Sequence, residues 1–268
     1  MQPEPDGAPP DTICLEREQA HHVSRVLRMT IGDPLELLDG RGFCYLSRIV
    51  EIRKDRVILQ YEAQRFVPAS RLQLSLIQGL CAAELMDFSL QKGVELGLNV
   101  FTPAACQRSV SLIDAARSAS KQRHWQMVAQ AACMQSSNPW LPVIDPPQSL
   151  DEALGQACRP YPDEDSESAI DPQRIHRWML DPYASVSLRE KLLEVGPQGA
   201  TARRRVVLLV GPEAGLSGDE VRGAQEAGFI SVHLGPRTLR TETAALAALA
   251  AIQSDWGDWD QAASRPWS

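Results

Sequence analysis

The pattern of hydrophobic and polar positions changes character near residue 70. Over residues 18–28, Val23, Val26 and Leu27 recur at helical spacing, and Gly32-Asp33 stops the pattern. Three strand-like runs follow at 34–39, 43–52 and 56–62, separated by Gly40-Arg41-Gly42 and by Lys54-Asp55. Short strands with tight turns and no helix between them predict a small β-barrel. Residues 1–10, acidic and Pro-rich, predict a loosely held tail. Pro68-Ala-Ser-Arg71 predicts a linker, so residues 11–68 and 69–268 are expected to be separate domains.

Beyond the linker, strand-like and helical segments alternate. Residues 72–80 are almost continuously apolar, 84–96 show helical periodicity closed by Gly97, 100–106 predict a strand and 118–135 a helix. The alternation continues through 141–144, 150–157, 175–180, 186–193, 206–210, 219–227, 230–234 and 243–254. It predicts an α/β domain with a parallel sheet covered on both faces. One stretch interrupts it: residues 159–173 carry Pro160, Pro162, Pro172 and five acids, which predicts a solvated surface loop.

Composition narrows the function classes. The 268 residues hold 27 Lys+Arg against 34 Asp+Glu, a net charge of −7. That balance argues against coating nucleic acid by bulk charge but leaves room for a local basic site. Arginines number 23 and lysines four, and guanidinium suits bidentate phosphate contact. No apolar run is long enough for a membrane helix, and the first residues lack the basic and apolar regions of a secretory signal. The six cysteines contain no C-x-x-C pair, so no zinc ribbon or other metal cluster is expected and a reduced cytoplasmic setting fits.

Two C-terminal segments carry the candidate chemistry. In the first, a buried strand runs into Gly211-Pro212-Glu213-Ala214-Gly215, and Ser217 with Glu220 forms an S-x-x-E helix start. Ligands of parallel α/β folds bind beyond the C-terminal strand ends, where this loop falls. It lacks the lysine of a P-loop, the G-x-G-x-x-G dinucleotide pattern and the G-x-S-x-G elbow. Taken alone, it is equally a strand–helix turn that merely needs glycine. In the second segment a strand ends at Gly235, Arg237 and Arg240 follow, and Thr241-Glu242-Thr243 opens an Ala-rich helix. That helix is expected deep inside the domain or against a partner subunit. A carboxylate favoured by the helix dipole accounts for Glu242, and a surface ion pair for Arg240, as readily as a functional role does.

Gly211-Pro-Glu-Ala-Gly-Leu-Ser217 resembles the G-P-E-G-G-[FL]-S loop of the SPOUT methyltransferases that modify N3 of uridine in 16S ribosomal RNA, the ribosomal RNA small subunit methyltransferase E family. Leu234-Gly-Pro-Arg-Thr-Leu-Arg-Thr-Glu-Thr-Ala244 is similar to that family's L-G-x-R-I-L-R-x-E-T-A. Gln91-Lys92-Gly-Val-Glu-Leu-Gly97, Arg108-Ser109, Gln135-Ser136 and His21-His22-x-x-x-Val-Leu-Arg28 fall in the family's order. The departures are Ala214 for the third loop glycine, Thr238 for an aliphatic residue, Asn138 near an expected arginine, and no aromatic opening strand carrying an arginine.

The resemblance implies a PUA-like RNA-binding domain followed by a knotted α/β domain, working as a homodimer on 16S rRNA in the small subunit with S-adenosylmethionine. A trefoil knot enters through the resemblance alone, since connections rarely knot. Leu180, Asp181, Gly211, Pro212, Glu213, Gly215, Leu234, Gly235, Leu239, Arg240, Thr241 and Thr243 are then expected at the cofactor. Arg240 and Arg237 are expected to stabilise the uracil anion or hold phosphate, with Glu242 orienting Arg240 or accepting the proton. RNA contacts are expected from His21, His22, Arg25, Arg28, Arg41 and Arg108. Two alternatives stay open: a SPOUT enzyme acting on another rRNA or tRNA position, and a non-catalytic RNA-binding assembly factor.

Overall fold

The computed structural model describes residues 10–110, 115–157, 159, 174–196 and 203–261. The expected tail and most of the expected acidic loop lie outside these residues. The chain divides into two compact units between Ala69 and Ser70.

The N-terminal unit is a four-stranded antiparallel sheet of β1 (Thr12–Glu16), β2 (Pro34–Leu38), β3 (Phe43–Ile52) and β4 (Arg56–Phe66), ordered β1-β4-β3-β2. Strand β1 was not expected, because five residues beside a Pro-rich stretch carry little alternation. Its register against β4, Thr12 opposite Gln60 through Glu16 opposite Arg56, defines it only through its partner. The predicted 18–28 helix is shorter and uneven. A single turn, α1 (Arg17–His21), passes into a π-helical turn over His22–Val26, closed by Leu27 N–H donating to His22 O at 2.9 Å. The wider turn breaks the 3.6-residue repeat. Ala20 and Val23 therefore reach the core with Leu15, Ile49, Val57 and Leu59, while Val26 and Leu27 stay 59% and 50% exposed. The regular helix that the spacing predicted over 18–28 is corrected by this geometry.

The second unit is the expected α/β layer structure. Its elements are β5 (Leu72–Gly79), α2 (Ala83–Glu95), β6 (Leu98–Ala105), α3 (Ala115–Ser136), β7 (Val143–Ile144), β8 (Gln148–Ser149), α4 (Leu150–Gln156), β9 (Ile175–Leu180), α5 (Leu188–Val195), β10 (Arg204–Val210), α6 (Gly218–Glu226), β11 (Ile230–Val232) and α7 (Thr241–Trp256). The sheet runs β11-β9-β10-β5-β6-β7, with β8 also on β6, and all its pairings are parallel.

Strand alternation assigns the two faces. Val206, Leu208 and Val210 of β10 point to the side packed by α2, α3, α5 and α7, and Val207 and Leu209 to the side packed by α4 and α6. Burying both faces explains why β5 and β10 are apolar throughout. Capping boxes start three helices, Ser149 with Glu152, Ser187 with Glu190 and Ser217 with Glu220. The Ala-rich helix is not enclosed on every side. Ala245, Ala248, Leu249 and Ile252 are buried, but Ala247 is exposed and Ala244, Ala250 and Ala251 are half-buried.

Candidate functional site

Because the strands are parallel, the loops after β5, β9, β10 and β11 all leave the same edge of the sheet, from four adjacent strands. The glycine-bearing segment after β10 is fastened on several sides. Gly215 N–H donates to Pro212 O at 2.8 Å, and Gly215 takes a φ of +70° that a side chain would resist. Glu213 Oε1 accepts from Ala82 N–H at 3.0 Å. Glu220 accepts from Ser217 N–H at 2.7 Å and from Gln107 N–H at 2.6 Å. On the β5 side, a Cβ at Gly79 would lie 2.5 Å from Pro212 N, so only glycine admits this approach.

The segment after β11 is tied to the one after β9. His233 N–H donates to Val186 O and its carbonyl accepts from Leu188 N–H, both at 2.9 Å. Its Nδ1 accepts from Gly235 N–H at 3.0 Å, and Gly235 has a φ of +103°. Asp181 N–H donates to Val232 O at 3.0 Å, while Asp181 Oδ1 accepts from Tyr183 N–H at 2.9 Å.

Helix α7 closes the arrangement. Thr241 Oγ1 donates to Gly211 O at 2.6 Å and accepts from Gln78 Nε2 at 2.9 Å. Leu180, Asp181, Gly211, Pro212, Glu213, Gly215, Leu234, Gly235 and Thr241 thus lie on segments that leave one sheet edge, with Gly211 bonded to Thr241 and Pro212 to Gly215. Leu239 is half-buried there, and Thr243 points outward from the first turn of α7.

The charged residues separate by burial. Arg237 and Arg240 are exposed and make no ion pair among the described residues, with Arg240 at the N-cap of α7. Glu242 is only 7% exposed, and its Oε2 has no hydrogen-bond partner among the described residues. No bond joins Glu242 to Arg240, so the expected orienting contact is absent. They stand two positions apart, and the start of α7 turns the carboxylate into the domain while the N-cap guanidinium stays outside.

Arg108, expected on RNA, donates from Nη1 to the carbonyls of Ala214 and Leu216, at 3.2 Å each, and so braces the glycine loop. Asn138 serves the backbone, accepting from Trp140 N–H at 3.0 Å. In the N-terminal unit, His21, His22, Arg25, Arg28 and Arg41 are all exposed. Arg25, Arg28 and Arg41 have no acidic partner among the described residues, whereas Arg48 is paired with Glu62 and Arg65 with Glu36.

Sequence reasoning missed Gln78 and Cys81. Gln78 is fully buried, and the available signal was a lone amide in an otherwise apolar strand end. Burial pushes the Cys81 thiol up to about 12, and the negative charges of Glu213 and Glu242 add to the effect. Cys106 is also pushed up to about 12, by burial first and then by Glu220, against a lowering hydrogen bond from Ser109.

A family model for RNA methyltransferase domains matches residues 68–253, and one for the PUA domain of RNA methyltransferases matches residues 15–61. A ribosomal RNA small subunit methyltransferase E from Buchnera aphidicola is 31% identical over 87% of this chain and 87% of its own length. Among solved structures, a ribosomal RNA small subunit methyltransferase E from Neisseria gonorrhoeae, bound to S-adenosyl methionine, superposes with a TM-score of 0.75. It is 31% identical, covering 92% of this chain and 93% of that one. A Legionella pneumophila protein solved with bound S-adenosyl methionine gives a TM-score of 0.80 at 31% identity, covering 96% and 97%.

Proposed function

The chain belongs to the RNA methyltransferase family whose domain model spans residues 68–253, and from that premise we propose that it methylates N3 of one uridine in 16S rRNA of the small ribosomal subunit. It is an S-adenosylmethionine-dependent RNA methyltransferase. The observation that carries the reading is the joining of Gly211, Thr241 and Gln78 by two hydrogen bonds at the sheet edge where both glycine segments emerge.

The residues present fit the cofactor. Nothing lies within 4 Å of where a Cβ would stand at Gly215 or Gly235, so both backbones offer an open face. Leu180, Asp181, Gly211, Pro212, Glu213, Gly215, Leu234, Gly235, Leu239, Arg240, Thr241 and Thr243 would hold it, largely through backbone groups. When bound, it supplies an electrophilic methyl group.

The chain's own residues do the rest. Transfer to N3 requires that the uracil proton leave and that charge on O2 and O4 be stabilised. Arg240 and Arg237 are exposed guanidiniums without a carboxylate partner among the described residues and provide that stabilisation. Glu242 has an unpartnered carboxylate oxygen to accept a hydrogen bond or the proton. Arg25, Arg28 and Arg41, with His21 and His22, supply RNA contacts from residues 11–68, and residues 69–268 form the catalytic domain. Arg108 keeps the glycine loop in place.

The protein works as a homodimer, with the half-buried alanine face of α7 at the interface, and acts in the cytoplasm. No helix among the described residues is long and apolar enough to cross a membrane. The return of the chain from edge strand β11 to α7, packed on β5 and β10, supports the trefoil knot.

The test is methyl transfer from labelled S-adenosylmethionine to small subunits lacking the modification, with nucleoside mass spectrometry. 3-Methyluridine is the expected product. Cofactor binding without transfer to subunits, rRNA or tRNA would favour the non-catalytic assembly role instead.

A further inference from the structure

His233 directly follows β11 and leads into the segment assigned to the cofactor. The chain carries five histidines, at positions 21, 22, 124, 176 and 233. Of these, His233 alone lies on a segment that leaves the sheet edge where the glycine loops emerge. His21 and His22 belong to the N-terminal unit, His124 to α3, and His176 to the opposite end of β9. Position alone would therefore offer His233 as the acceptor of the uracil proton.

Its hydrogen bonds assign it a different task. The ring Nδ1 accepts from Gly235 N–H at 3.0 Å. A neutral imidazole has one acceptor nitrogen, so the ring proton sits on Nε2 and the single acceptor lone pair is already engaged. The backbone beneath the ring is anchored as well. His233 N–H donates to Val186 O and its carbonyl accepts from Leu188 N–H, both at 2.9 Å, and His233 bridges Ser187 in parallel. The half-buried ring thus carries the anchoring of β11 against the segment after β9 two residues further, to Gly235.

Gly235 has a φ of +103°. Glycine enters positive φ about as readily as negative φ, so its own preference does not select this state. The bond to Nδ1 does. A Cβ at Gly235 would meet nothing within 4 Å, so the conformation held by the ring keeps an open backbone face.

We infer that His233 is a positioning residue for the methyl donor and not the base of the reaction, its ring holding Gly235 in the conformation whose open face meets S-adenosylmethionine. The bond reproduces an Asx turn, with an imidazole in place of the usual carbonyl or carboxylate. That likeness identifies the replacement able to serve. Asparagine carries Oδ1 as many bonds from Cα as Nδ1 stands in histidine, accepts from the same N–H, and takes up no proton near neutral pH.

The inference rests on the methyltransferase reading, so the experiment separates the two. His233→Ala and His233→Asn are compared with the parent, and thermal melts check that both fold. Hydrogen exchange at the Gly235 amide is measured on the unliganded proteins, cofactor affinity by calorimetry, and KM and kcat by transfer to unmodified small subunits. His233→Ala is expected to speed exchange at Gly235 and to weaken cofactor affinity about three- to tenfold, the worth of one such bond. His233→Asn is expected to restore slow exchange and affinity together, with kcat kept. An alanine variant that exchanges and binds like the parent would overturn the inference, as would an asparagine variant no better than alanine. An asparagine variant that binds cofactor normally but loses about 100-fold or more in kcat would make His233 the base, and overturn it too. If the parent binds no S-adenosylmethionine, the methyltransferase reading fails instead, and exchange at Gly235 still decides whether the ring holds the segment.

Discussion

Thr241 and Gln78 stand 163 residues apart and meet in a 2.9 Å hydrogen bond in the buried layer under the glycine loops. The hydroxyl donates its own hydrogen bond to Gly211 O, so one small side chain joins the ends of β5 and β10 to the start of α7. Removing it takes the hydroxyl donor from half-buried Gly211 O and leaves buried Gln78 Nε2 with its 3.2 Å bond to Gly79 O. Thr241→Val should lower stability by about 1–3 kcal/mol and weaken cofactor affinity, while Thr241→Ser should restore most of both. Thermal melts and calorimetric titration with S-adenosylmethionine measure the two effects.

The glycines at the site are needed for different reasons, and alanine separates them. At Gly79 a Cβ would meet Pro212 backbone and ring, so Gly79→Ala must move the loop and should cost about 1–3 kcal/mol together with cofactor affinity. At Gly215 the space is open and only the positive φ resists, so Gly215→Ala should cost about 1–2 kcal/mol in stability. Unchanged stability and cofactor affinity in Gly79→Ala would contradict this account, because the Cβ cannot be placed without moving Pro212.

Arg240 is exposed and pairs with no acid among the described residues, so Arg240→Ala should leave stability within about 0.5 kcal/mol. The same change should lower kcat for methyl transfer about 100-fold if the guanidinium stabilises the uracil anion. A variant that loses RNA affinity with unchanged kcat would reassign Arg240 to phosphate holding.

RNA affinity should depend on Arg25, Arg28 and Arg41 but not on Arg48, which is occupied by Glu62. Each of the three alanine variants should weaken binding across sequences and reduce the slope of log affinity against log salt by about one. Filter binding over a salt series, with Arg48→Ala as control, reads this directly.

The buried thiols give a pH signature. Cys81 and Cys106 are pushed up to about 12 and Cys133 to about 11, chiefly by burial. At pH 8 a thiol of pKa about 12 is roughly one part in ten thousand thiolate, so iodoacetamide should label exposed Cys14 and spare these three. Below about pH 9 the thiols are protonated in folded and unfolded chains alike. Above it the unfolded chain releases protons that the folded chain retains, so stability should fall as pH rises from about 9 toward 12. Mass-spectrometric mapping and melts across that range test both statements.

Residues close in the chain made much of this protein legible in advance. Strand and helix periods depend on neighbours within a turn or two, which is why the alternation after residue 70, the Ser217–Glu220 helix start and the two glycine-bearing loops could be read directly. The same local logic failed where the partner was distant. Strand β1 exists through its pairing with β4, and a π-helical turn interrupts the helix that local spacing predicted, leaving Val26 and Leu27 exposed. Within the site, sequence located the segments but not the contacts. That Arg240 faces solvent while Glu242 turns inward, that Arg108 braces Ala214 and Leu216, that Gln78 reaches Thr241, and that Asp87 on α2 orients His124 and Trp125 on α3 were decided by tertiary packing. A buried polar group must find a partner wherever the fold brings one, and separation along the chain carries no record of which one that is.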